Sequence, residues 1–204
     1  MGWVSSFTNI GNNYLFGCEK GLAITDHEYS LLNSFKSKKE VQDLIIVDDS
    51  HVLLAEYTGF IEVVNTQELK QVATKQFTGY DNLLTLYKTK VAHEFAICTS
   101  QGLYFFMLQR HKGKFKVAEP HESYYSSFLK KESIKAMVEL EQTQIAVAFR
   151  QKSYIEIIDR HAKMFKKMKQ INIPDFNPWL WTMRDLKYDD GRQMLFIKDE
   201  KHIF

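Results

Sequence analysis

Seven histidines, His27, His51, His93, His111, His121, His161 and His202, are the residues of this chain best suited to acid–base work or to holding a metal. A neutral imidazole titrates near pH 7 and ligates zinc through one ring nitrogen. They stand in dissimilar contexts at the ends of apolar runs, with no shared spacing, so they read as scattered surface groups. Asp48-Asp49 and Asp189-Asp190 are paired acids that could bind a cation or divide acid and base roles. Both precede an apolar run and lie beside the turn formers Ser50 and Gly191, so hairpin turns account for them. Cys18 and Cys98 sit in separate apolar segments with no Cys-x-x-Cys or Cys/His spacing, and read as buried, reduced thiols. There is no glycine-rich phosphate loop, nucleophile elbow, paired histidine on a helix or calcium-loop pattern. The expectation is a protein that is not an enzyme and uses no cofactor and no metal.

Recognition has better candidates than catalysis. Trp179 and Trp181 lie in the stretch Asn177-Pro-Trp-Leu-Trp181, and Tyr124, Tyr125, Lys130 and Lys131 lie in the other long polar stretch, with Phe128 between them. Large aromatic and basic groups on loops of a rigid scaffold dominate binding hot spots, so these six are the expected partner-binding residues. Trp179 and Trp181 have an equal claim to packing between neighbouring structural units. Gly2 and Ser6 match the minimal acylation pattern Met-Gly-x-x-x-Ser, but bulky Trp3 and Val4 and the lack of nearby basic residues weigh against it. The alternative is an ordinary first strand from Trp3 to Asn9.

The elements that must carry these residues repeat. A short apolar strand, a polar turn closed by glycine and a second apolar strand occur as Tyr14 to Ile24 around Gly21, His51 to Val64 around Gly59, and Glu94 to Met107 around Gly102. A fourth copy, Gln144 to Asp159, has Ser153 at the turn. Recurrence at a period of a few tens of residues marks one supersecondary unit used repeatedly. The flanks extend each copy to a four-stranded antiparallel meander, for example Asp43 to Val47, His51 to Tyr57, Phe60 to Asn65 and Leu69 to Phe77. The second and third strands are almost wholly apolar, whereas the fourth carries Lys70, Lys75, Lys114, Lys116, Lys166 and Lys167 in its several copies. Buried inner strands and a lysine-guarded outer edge would produce that gradient. Small residues before the turn, Gly17, Ala55, Cys98 and Ala148, point to a crowded inner layer. Tyr124 to Met137 and Lys163 to Ile173 also show helical spacing; repeat alignment makes the second a strand, and a short helix fits the loop of the first.

The chain has 204 residues, 45% hydrophobic and 14% aromatic, enough for a sizeable core in one domain. A formal net charge of +2 is too near balance to imply nucleic acid or an anionic membrane as partner. No stretch approaches a bilayer span and the amino terminus lacks a secretion-signal pattern, so a cytoplasmic location is expected.

Four-stranded units of this length with a glycine turn between the second and third strands resemble the blades of WD40-like β-propellers. The Gly-His and Trp-Asp signatures of those repeats are absent; Asn65 and Asp159 stand where the Asp could fall. Gln101-Gly-Leu-Tyr104 and Lys20-Gly-Leu-Ala23 are similar to the phrasing of citron-homology propellers, which accompany kinases, Rho exchange factors and vesicle-tethering subunits. The resemblance implies an all-β propeller, residues 1–204, with blades near 3–35, 43–77, 83–118 and 134–173 and a partial one at 180–204. It is expected to be part of a larger propeller, with a five-bladed ring completed by residues 3–9 as the other arrangement. The implied function is a scaffold that binds protein partners through its loops and an exposed blade face. A propeller enzyme with a central-channel site, and a lipid-associated tethering or kinase-regulatory module, are the alternatives.

Overall fold

A computed structural model describes residues 3–57, 59–77, 83–118, 132–141, 143–160, 166–173 and 185–198, and every regular element among them is a strand. The first antiparallel sheet comprises β1 (Val4–Ile10), β2 (Asn13–Cys18), β3 (Gly21–Thr25) and β4 (Leu31–Lys36), hydrogen-bonded in that order. The second comprises β5 (Val41–Asp48), β6 (His51–Glu56), β7 (Phe60–Asn65) and β8 (Lys70–Gln76), again in chain order. The third is β9 (Leu83–Lys88), β10 (Glu94–Thr99), β11 (Gly102–His111) and β12 (Lys114–Val117). The fourth is β13 (Ile134–Glu139), β14 (Gln144–Phe149), β15 (Tyr154–Asp159) and β16 (Lys166–Asn172), and a two-stranded sheet pairs β17 (Asp185–Asp189) with β18 (Met194–Lys198). Lys166–Asn172 is therefore strand, and its pairing along β15 outweighs the helical spacing of its apolar residues.

The chain divides into two compact units, Met1–Phe95 with Phe106–Glu119, and Ala96–Phe105 with Pro120–Phe204. In the first, Leu15, Leu22 and Ile24 of one sheet pack with Val41, Leu44, Val52, Leu54 and Val64 of the next, and Phe106 sits 5.6 Å from Phe77 and 5.7 Å from Phe95. In the second, Ala136, Ala146, Ala148, Ile155 and Ile157 form a core with Leu186 of β17. There the Arg160 guanidinium lies 4.2 Å over the Phe105 ring and 3.2 Å from Glu139.

Strand position within each sheet sets burial. Every residue of β3, β6 and β10 is buried, whereas β4 and β16 are exposed along nearly their whole length. The turn between second and third strands explains its glycines, since Gly21, Gly59 and Gly102 have φ of 131°, 86° and 143°. A Cβ at Gly21 would collide with the Phe35 carbonyl oxygen. Gly17 is crowded rather than twisted: a Cβ there would meet Ser6 Oγ at 2.7 Å and Val41 Cγ1 at 2.9 Å.

Candidate interaction face on the first sheet

The first, second and fourth sheets share one register, and the comparison isolates a single anomalous surface. In each, the first strand starts with an apolar residue, inserts a bulge, and places a second apolar residue three positions on. These pairs are Val4 and Phe7, Val41 and Leu44, and Ile134 and Met137. Val41, Leu44, Ile134 and Met137 are at most 6% exposed, whereas Val4 is 51% and Phe7 69% exposed. The chemistry of the position is the same; only the cover differs.

Alternation places Val4, Phe7 and Asn9 of β1 on one face with Tyr14, Phe16 and Cys18 of β2, their register partners. Ala23 and Thr25 of β3 and Leu31, Ser34 and Lys36 of β4 continue it. Phe7 stacks on Phe16 at 6.2 Å, and Tyr29 on Tyr14 at 5.4 Å. Tyr29, 69% exposed and at φ 62°, is presented by a turn in which Asp26 Oδ1 accepts hydrogen bonds from the Glu28 and Ser30 amides, both 2.9 Å. Trp3, Leu31 and Leu32 are likewise more than half exposed. Near the β2–β3 turn the surface sinks into a hollow of about 340 Å³ bordered by Cys18, Lys20, Leu31 and Lys36, and a second of about 300 Å³ lies at the opposite end, by Asn9, Tyr14 and His27. The reverse face of the same sheet, with Leu15, Leu22 and Ile24, is the one buried against β5 to β7.

Two polar clusters elsewhere carry charge chemistry. Glu56 and Glu62 are diagonal neighbours on one face of β6 and β7, and both are 0% exposed. Ser37 Oγ donates to Glu56 Oε1, and neither Glu56 Oε2 nor either Glu62 oxygen has a hydrogen-bond partner among the described residues. Burial first, then the adjoining Glu62 carboxyl, push the Glu56 pKa up to about 8, against the opposing pull of Lys38. Both carboxyls are sealed from solvent.

The fourth sheet resolves the same problem differently. Glu156 occupies in β15 the register place of Glu62 in β7, and its Oε1 receives a 2.5 Å bond from Lys167 Nζ. Gln71 stands where Lys167 does.

The second cluster surrounds His51, which is buried, not on the surface as expected from its place at a strand end. Its Nδ1 lies 2.8 Å from Asp48 Oδ1 and 3.0 Å from Ser50 Oγ, its Nε2 lies 3.3 Å from Asn65 Nδ2, and its ring is 4.7 Å from Phe115. Burial of Asp48 is outweighed by the Ser50 amide and by His51, which together hold its carboxyl below the usual range. This is a closed hairpin clasp, and Asn65 and Asp48 serve it as turn residues; the Asn65 side chain also accepts from the Gln67 and Glu68 amides, both 2.9 Å.

Cys18 and Cys98 are buried, and neither is in a disulfide. Trp179, Trp181, Tyr124, Tyr125, Lys130 and Lys131 lie outside the described residues. Among the described residues, sequence reasoning overlooked the face of β1 to β4, because Val4 and Phe7 look like any inward strand positions.

No family model matches the chain, and no curated protein matches it in sequence. Its backbone is similar to the β-propeller domain of Cps50 (Swd1) from Myceliophteria thermophila, with a TM-score of 0.63 at 8% identity over 98% of this chain and 83% of that one. It is also similar to the computationally designed Ika8 protein, with a TM-score of 0.65 at 11% identity over 97% of this chain and 55% of the designed one. The fold is that of a β-propeller, with four four-stranded antiparallel sheets and a two-stranded one among the described residues.

Proposed function

We propose that this chain is a non-catalytic protein-interaction module that binds through the open face of its first blade. The observation that carries the proposal is the register comparison, in which Val4 and Phe7 stand half to two-thirds exposed where their counterparts in two other blades are sealed. Among the described residues, six of the ten exposed large apolar side chains, Trp3, Val4, Phe7, Tyr29, Leu31 and Leu32, belong to this blade, and clustering of that kind marks a contact surface. Burial of the ionisable cluster at Glu56 supports a structural rather than catalytic use for it. Two buried cysteines outside any disulfide suit a reducing compartment, which supports a cytoplasmic location. No described helix is long and apolar enough to cross a membrane.

The test is sedimentation of the tagged chain from cells at its natural level, alongside Phe7→Asp and Leu31→Asp. The wild type should sediment in an assembly larger than itself and both variants alone. Indifference of sedimentation to either substitution would overturn the proposal.

A further inference from the structure

The third sheet departs from its companions at one place. Its third strand, β11, runs ten residues, whereas β3, β7 and β15 run five or six. The Leu108 amide bonds the His93 carbonyl at 2.8 Å, just before β10 begins, and Gln109 to His111 continue past that point paired with β12. Lys112 and Gly113, at φ 48° and 77°, join the two strands in the two-residue turn that suits a twisted ribbon. The extra length carries a biased composition. Between Gln109 and Ala118 stand Arg110, His111, Lys112, Lys114 and Lys116 and no acidic residue, in a chain whose net charge is only +2.

Register sorts these groups onto two faces. Arg110 pairs with Phe115, lies 5.1 Å over its ring and 3.9 Å from Asp48, and Phe115 packs on His51, so this face turns toward the second sheet. Alternation puts Gln109, His111, Lys114 and Lys116 on the other face, in the register pairs Gln109–Lys116 and His111–Lys114. All four are exposed, as is Lys112 at the tip. None of the three lysines has an ion-pair partner among the described residues. Protecting a sheet edge takes a charge on the outer strand, which accounts neither for the lengthened hairpin nor for the charge at its tip.

We infer that the β11–β12 hairpin is a docking site for an extended acidic segment of a partner protein. Like charges held together without counter-charges repel one another, and an anionic segment laid across them relieves that repulsion. Lys114 and Lys116 are alternate residues of one strand, about 7 Å apart, which is the spacing of alternate side chains in an extended peptide. Acidic residues at alternate positions of the segment would meet both. The patch is small, which suits a short peptide, whereas a polynucleotide draws its affinity from many phosphate contacts and an anionic membrane from a wider basic cluster. The contact is exposed and electrostatic, so it weakens as salt rises. It lies on the third blade and is independent of the face proposed above.

The purified full chain can be titrated against a labelled peptide of alternating Glu and Thr, a labelled single-stranded oligonucleotide and vesicles containing phosphatidylserine. The peptide should bind, and less tightly at higher salt. Lys114→Glu combined with Lys116→Glu should lower its affinity by about tenfold or more, with the melting temperature held because both side chains are exposed. Gln at both positions, which removes the charge and keeps the shape, should give a smaller loss in the same direction. Lys166→Glu combined with Lys169→Glu makes the same charge change on exposed positions of β16 and should leave the affinity unchanged. A peptide that does not bind, an oligonucleotide or vesicle that binds more tightly than the peptide, or equal losses in the two reversed pairs would overturn the acidic segment as the partner of this hairpin.

Discussion

A buried glutamate that keeps its proton makes stability depend on pH in a direction opposite to most carboxylates. Glu56 ordinarily releases its proton near 4.5, and the fold raises this to about 8. Between those values the folded chain holds a proton that the unfolded chain has released, so stability is fully present below about pH 4.5, declines through the interval and levels off above about 8. Asp48 acts the other way: its depressed pKa contributes stability that is present above its ordinary 3.8 and is lost as pH falls through its folded value. Urea denaturation across pH 4 to 9 should therefore show wild-type stability declining toward alkaline pH, and Glu56→Gln should flatten that decline. At pH 9 the variant should exceed the wild type by about 1–3 kcal/mol, since a neutral amide replaces a buried carboxylate. A decline of the same slope in the variant would assign the effect elsewhere. Nothing in the sequence marks this pair. Glu56 and Glu62 interrupt apolar runs just as Glu156 does, and period-2 patterning assigns each to a face without saying whether a lysine arrives to meet it. His51 was hidden for the same reason, since Asp48 and Asn65 reach it from the two neighbouring strands of its own sheet and Phe115 from β12 of the third.

At the scale of the strand and sheet, far more could be read in advance. The glycine turn, the apolar inner hairpin and the lysine-bearing outer strand are local patterns, and they reappear in the sheets with their register intact. The register makes two substitutions informative. Gln71→Lys places in β8 the cation that Lys167 supplies in β16, and should stabilise the second blade by about 1 kcal/mol, measured by urea denaturation. Lys167→Met, by contrast, should lower stability at pH 7 by about 1–3 kcal/mol, because Glu156 is left buried without its partner. Equal and small effects for both would mean that a lysine at this register place adds nothing to stability. Gly17→Ala tests the crowding between the first two sheets. Its methyl group would sit within 3 Å of Ser6 and Val41, and overpacking of that kind costs about 1–3 kcal/mol, readable as a fall in melting temperature.

What lay beyond the reach of pattern was the state of a whole face. Val4 and Phe7 obey the same alternation as Val41 and Leu44, and a strand carries no mark telling whether another sheet lies over it. Exposure is decided by neighbours, so it became visible only when equivalent positions in different blades could be compared for burial. The aromatic residues near 124 and 179 stand out in the sequence because large side chains in polar stretches are locally conspicuous. The first blade did not, because an unburied apolar face has the composition of a core. As a surface it joins apolar rings and two hollows on one sheet, which is the combination that favours a specific contact over loose adhesion.

Site-specific photo-crosslinking tests that claim most directly. A photoreactive phenylalanine analogue placed at Phe7 should give a discrete adduct in cells, while the same group at Met168, comparably exposed on the outer strand β16, should give none. No adduct at position 7, or equal adducts at both positions, would contradict the assignment of the open blade face as the binding surface.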